Sequence, residues 1–201
     1  FAEFRRHPIM LKAIEGTTYL SLMQNIFFFR KLEDHIVTRS LEKISSSDMI
    51  GAPIRLFTAK VGSKYITINP TTAKYAKNWS NIIDCFGIDI LFNGTKVTEI
   101  GAGYGGESKV FFDIACKLGK TPDLGEYEVY DLPSSELLIR HFLDNFGYSV
   151  AFKKLGENKL PLGRSTKNLV ISNAALSEMR GDLLWSYLNE IVLPASFGYF
   201  I

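Results

Sequence analysis

The chain has 201 residues and a formal net charge of +2. That is long enough for one domain with a sizeable core, and too near neutral to argue for nucleic acid or an anionic membrane as partner. Hydrophobic and charged fractions of 46% and 22% are those of an ordinary globular protein rather than a disordered one.

Two cysteines, Cys85 and Cys116, have no metal-ligand spacing and form no disulfide framework. A reducing, cytoplasmic compartment is therefore expected. No apolar run approaches the length of a membrane span. The first residues lack a methionine and the last five are apolar in an unfinished pattern, so a piece of a longer polypeptide is expected.

In chain order, residues 1–16 predict one short helix. Residues 17–44 carry a long helical pattern, with Leu22, Ile26, Phe29, Leu32 and Ile36 near three-to-four spacing. The run Phe27-Phe28-Phe29 reads as packing rather than as a stacking platform. Ser45 to Asp48 reads as a loop. An N-terminal helical extension over residues 1–50 is thus expected, followed by a single α/β domain over 51–201.

Arg55 to Ile68 reads as two short strands around Val61-Gly62-Ser63. A helix then starts at Pro70 or Thr71 and is closed by Gly87. Tyr65, Tyr75 and Trp79 are candidates to cover a ligand, or else aromatics of a helical cap.

The chain is organised around Lys96 to Gly106. A β-rich run, Lys96 to Ile100, meets Gly101, Gly103, Gly105 and Gly106, and a helical pattern follows from Glu107 to about Leu118. Strand, glycine turn and helix make the first βα unit of a nucleotide-binding sheet. The glycines at 101, 103 and 106 satisfy the dinucleotide pattern G-x-G-x-x-G. Glu99, Gly101, Gly103 and Gly105 also spell E-x-G-x-G-x-G. A carboxylate there suits a cationic ligand and repels a pyrophosphate at short range.

Further on, Tyr127 to Asp131 reads as the second strand, with Asp131 its last residue and placed to take ribose hydroxyls. Pro133 to Phe146 reads as a helix containing His141. Ser149 to Leu155 reads as a third strand near an edge, and Glu157 or Asn158 in the loop after it as a contact for an adenine ring. Asn168 to Ser172 is a continuous apolar strand. It opens into Asn173-Ala174-Ala175-Leu176-Ser177-Glu178-Met179. A helix over 182–193 and a fifth strand from Phe197 complete the pattern.

The E-x-G-x-G-x-G motif resembles the first motif of the class I S-adenosylmethionine (SAM)-dependent methyltransferases. With YDLP at Asp131 and SNAALSEM before a helix, the stretch from about Ile50 to Ile201 resembles the sugar O-methyltransferases of that group. The resemblance implies a Rossmann-like, doubly wound, mostly parallel sheet, here with its C-terminal edge truncated. It implies SAM as cofactor, with Glu99, Gly101, Gly103, Gly105 and Asp131 as contacts. The neighbouring positions Ala102, Tyr104 and Leu132 are candidate contacts too.

Asn173, Ser177 and Glu178 are implied at the acceptor-side edge, Asn173 also as a cofactor contact. The acceptor is expected to be a small molecule or glycan, with neither nucleic acid nor membrane as partner. Glu178 is the candidate base, with Ser177 beside it and His141 second. No compact His/Asp/Glu cluster suggests a metal. The alternatives are an NAD-dependent oxidoreductase and a non-catalytic SAM-binding module.

Overall fold

A computed structural model describes residues 2–16, 18–120, 127–156 and 167–201. In chain order the elements are helices α1 (Pro8–Ala13), α2 (Tyr19–Lys31) and α3 (Ile36–Ser45), then strands β1 (Phe57–Val61) and β2 (Lys64–Ile68). Helices α4 (Pro70–Phe86) and α5 (Ile88–Phe92), strand β3 (Lys96–Ile100) and helix α6 (Gly106–Lys117) follow. The rest comprises β4 (Tyr127–Tyr130), α7 (Pro133–Asp144), β5 (Ala151–Phe152), β6 (Asn168–Ser172), α8 (Ala175–Glu178), α9 (Gly181–Tyr187) and β7 (Phe197–Phe200).

These elements divide into two compact units. One holds residues 1–84 and 109–119, the other residues 85–108 and 120–201.

In the first unit, the helical pattern over 17–44 is divided between two helices. Thr18 caps α2 by accepting from the Ser21 N–H, and the helix stops at Leu32. His35 then opens α3, its Nδ1 accepting from the Val37 N–H at 3.2 Å. The apolar spacing runs through the break because both helices bury the same kind of face, so periodicity alone could not mark it.

The expected loop at Ser45–Asp48 is instead a 3-10 turn, Ser46–Met49, with Ser47 and Asp48 buried. Asp48 faces the fully buried Arg5, which gives Nη1 to Asp48 Oδ1 at 2.9 Å and Nε to Glu15 Oε1 at 2.6 Å. Asp48 also accepts the Asn69 N–H and the Thr72 hydroxyl, both at 2.7 Å. A guanidinium inside a core is tolerable only when paired in this way. β1 and β2 form an antiparallel hairpin turning at Gly62 and Ser63.

The second unit holds a five-stranded parallel sheet of order β5-β4-β3-β6-β7. The winding starts at β3, runs outward to β5, then returns beside β3 and runs out to β7. That is the doubly wound order, with its switch point between β3 and β6. The inner strands are buried along almost their whole length; β6 is accordingly an apolar run, whereas β3 and β4 bury the acids Glu99 and Glu128. Ile100, Tyr130, Val170 and Ile191 form a core cluster of this unit.

Several boundaries differ from expectation. The edge strand expected over 149–155 shrinks to two residues. The helix expected over 182–193 is α9 followed by a π-helical stretch, Leu188–Val192. Strand β4 ends at Tyr130, so Asp131 is the first residue beyond it.

Candidate functional site

Three glycines turn the chain from β3 into α6, and each has a positive φ: Gly101 at 79°, Gly103 at 63° and Gly105 at 90°. L side chains avoid that region, which is why glycine is found there. Gly101 has a second reason. A Cβ on it would stand 2.2 Å from the Cβ of Ala175, the first residue of α8. The turn leaving β3 and the start of α8 after β6 therefore touch at the switch point.

The amides of these glycines already have acceptors. Gly101 N–H donates to the Tyr130 carbonyl at 2.8 Å and Gly105 N–H to the Ala102 carbonyl at 2.9 Å. Gly103 N–H donates to Asp131 Oδ2 at 2.9 Å, while Asp131 Oδ1 takes the Leu132 N–H at 2.7 Å. Asp131 thus clamps the turn, and each oxygen keeps a further lone pair for another donor.

Glu99 is 3% exposed. Ser108 Oγ and Tyr127 Oη both donate to its Oε2 at 2.8 Å, joining β3, the first turn of α6 and β4. Burial pushes its carboxyl up to about 7, against the lowering effect of these two hydrogen bonds and with the Asp131 carboxylate adding to the rise. Burial likewise raises Tyr127 well above the phenol range, aided by the Glu99 and Glu107 carboxylates.

Glu107, buried in the first turn of α6, accepts from Asn173 Nδ2 at 3.2 Å. It ties the glycine turn to the loop after β6. Neither Glu107 nor the Ser108–Tyr127 pair was singled out from sequence. The available signal was a carboxylate directly after the double glycine, in a helix whose N-terminus favours negative charge.

Ala102 and Tyr104 are buried, and Tyr104 meets Phe142 edge-on at 4.9 Å between ring centroids. Their side chains serve packing, leaving only backbone to a ligand. Leu132 is exposed and lines a cleft of about 290 Å³ with Asp131, Glu136, Arg140, Phe152, Lys153 and Tyr187 among others. Burial raises the Tyr187 phenol, and the Asp131 carboxylate adds to this. A larger cleft of about 340 Å³ lies in the first unit, lined by Glu33, Arg39, Glu42, Lys64 and Lys117 among others. Its charges include the Lys64–Glu42 pair at 2.5 Å, so size alone does not mark a site. The smaller cleft holds the acid that the sequence singles out.

Asn173, Ser177 and Glu178 stand beyond the carboxyl end of β6, where ligands bind in open α/β sheets. Ala174 between them has φ of 72°, strained for a residue with a Cβ. Ser177 Oγ donates to the Ala174 carbonyl at 2.6 Å, whereas the Glu178 side chain is exposed.

His141 is not brought to this end. It lies eight residues into α7, roughly 12 Å along a helix that starts at the carboxyl end of β4 and runs back. It is also exposed. Trp79 and Tyr75 are buried, Trp79 against Phe111, and Tyr65 is exposed on β2. Glu157 and Asn158 lie outside the described residues. Among the described residues no three His, Cys, Asp or Glu side chains converge as a metal site, and no helix is long and apolar enough to cross a membrane.

No protein-family model matches the chain, and no curated protein matches it in sequence. Among solved structures, it is similar to the crystal structure of Pyrococcus abyssi tRNA (uracil-54, C5)-methyltransferase in complex with S-adenosyl-L-homocysteine. Identity is 13%, the TM-score is 0.34, and the match covers 69% of this chain and 33% of that one. The chain thus spans about one third of that protein, a likeness too distant to carry an argument about function.

Proposed function

We propose that the chain binds SAM at the glycine turn and transfers its methyl group to a hydroxyl acceptor, a sugar or related glycan. The observation that carries the cofactor is the use of the turn's amides. In a dinucleotide site such N–H groups face a pyrophosphate. Here those of Gly101, Gly103 and Gly105 are given to the protein's own oxygens. Acidic side chains at Glu99, Glu107 and Asp131 flank the turn instead of cations. This arrangement favours a positively charged ligand over NAD.

The residues fit the cofactor. Asp131 has lone pairs left for two ribose hydroxyls, and Leu132 and Phe152 offer apolar surface in the adjoining cleft. When bound, SAM supplies a methyl carbon made electrophilic by its sulfonium. Glu178, exposed beyond β6, is the base that accepts the acceptor hydroxyl's proton, and a placed base contributes about 10²–10⁴-fold. Ser177, committed to the Ala174 carbonyl, holds the short helix that carries Glu178. The sugar class rests on the YDLP and SNAALSEM resemblance.

The test is calorimetric titration of the full chain with S-adenosylhomocysteine, with NAD as control. Binding of the former alone, weakened about tenfold or more by Asp131→Ala, is expected from loss of charge-assisted hydrogen bonds. Binding of NAD alone sinks the proposal. On a responding acceptor, Glu178→Gln is expected to lower turnover by at least about a hundredfold; full turnover would remove Glu178 as the base.

A further inference from the structure

The side chain of Glu99 has a one-sided arrangement. Both hydroxyls that reach it, from Ser108 and Tyr127, donate to Oε2. Oε1 takes no hydrogen bond among the described residues. The groups acting on it are Ser108 on α6, Tyr127 on β4 and Asp131 beyond β4. All are neutral or acidic. Nothing cationic acts on the carboxyl from these elements.

A carboxylate 3% exposed and acted on by the Asp131 carboxylate is costly to ionise unless a positive charge arrives. The same residue stands two positions before the first glycine of the turn. Whatever cation the turn accepts therefore meets a carboxyl whose free oxygen can carry a proton.

We propose that Glu99 holds a proton on Oε1 in the ligand-free protein and gives it up to solvent when the ligand's ammonium group docks. Binding then exchanges a proton for a cation. This rests on the reading of the turn as a site for S-adenosyl ligands. No covalent bond changes. The O–H proton goes to water or buffer, and the carboxylate left behind faces the ammonium. The elevated Glu99 carboxyl puts the exchange in the neutral range, where small changes of pH alter affinity. The site thereby selects for ligands that carry a cation, because a neutral nucleoside gives Glu99 no reason to ionise.

Titration of the full chain with S-adenosylhomocysteine in two buffers of different ionisation enthalpy counts the protons. Close to one is expected to be released per ligand near pH 6 and close to none near pH 8. Kd should fall about tenfold per pH unit up to neutrality and then level off. 5′-Methylthioadenosine, the same nucleoside without the ammonium, should bind with no proton release.

Glu99→Gln should bind S-adenosylhomocysteine more weakly, with no pH dependence over this range. Tyr127→Phe removes a donor to the ionised form, so its levelling-off should move to higher pH. This variant and the wild-type proton count decide the matter if Glu99→Gln does not fold. Equal affinity and no proton release at both pH values overturns the exchange and leaves the cofactor reading standing. No binding of S-adenosylhomocysteine at either pH overturns both.

Discussion

Glu99 shows how one buried side chain links stability to chemistry. Its carboxyl is ordinary in the unfolded chain, near 4.5, and raised to about 7 in the fold. Below the lower value both states carry the proton and folding is not penalised. As pH rises between the two values, the unfolded chain loses its proton while the folded one keeps it. Stability must then fall with pH across this window. The shift corresponds to a loss on the order of 3 kcal/mol above neutrality, since each pKa unit is worth about 1.4 kcal/mol. Urea unfolding of the ligand-free chain between about pH 5 and 8 should show this decline in wild type. In Glu99→Gln the decline should be largely absent. An unchanged slope would place the titrating group elsewhere.

At the scale of elements, α6 is held by a lysine that nothing in its local sequence marks as special. Lys109 is fully buried. Its ammonium donates to the Lys43 and Ile44 carbonyls at 2.6 and 3.1 Å, and to Ser46 Oγ at 3.1 Å. It also pairs with Asp113 at 2.5 Å, one turn along the helix. A cation at the C-terminus of α3 satisfies carbonyls that the helix itself leaves open. Burial lowers the Lys109 ammonium, and Asp113 opposes that shift. Lys109→Met should cost about 3–5 kcal/mol in chemical denaturation, because Asp113 is left as a buried charge without its cation. Adding Asp113→Leu should recover part of that loss. Simple additivity of the two changes would show that the pair is not coupled.

The whole sheet depends on the meeting of its two central connections. β3 and β6 are neighbours in space although 67 residues lie between Ile100, which ends the one, and Asn168, which begins the other. Gly101 and Ala175 meet where the two loops leave. Gly101→Ala carries two penalties: a backbone at φ of 79° and a Cβ 2.2 Å from another. Together these should cost roughly 3 kcal/mol or more. Gly87→Ala is the matched comparison, with φ of 83° and nothing within 4 Å of the added Cβ. It should cost only about 1 kcal/mol. Similar losses in the two variants would show that the close approach to Ala175 relaxes freely.

Sequence alone determined what is set within a few residues: β3, the glycine turn and α6, the hairpin turn at Gly62, the start of α4 at Asn69-Pro70, and the apolar strand β6. Turn angles, caps and alternation depend on near neighbours, so they are written locally. The parallel sheet followed, because successive βα units admit few arrangements.

Tertiary structure decided the rest. Asp131 reaches Gly103 across 28 residues, Tyr127 reaches Glu99 across 28, and Lys109 reaches Ile44 across 65. The break between α2 and α3 arises where His35, already capping α3, also meets Ser80 and Asp84 of a later helix. Such contacts depend on which distant group arrives beside a side chain once the core closes, and one-dimensional spacing carries no trace of that. The sequence could therefore name Glu99 and Asp131 as acids beside a glycine turn. Only folding made the first a buried carboxyl able to hold a proton and the second the clamp on the turn.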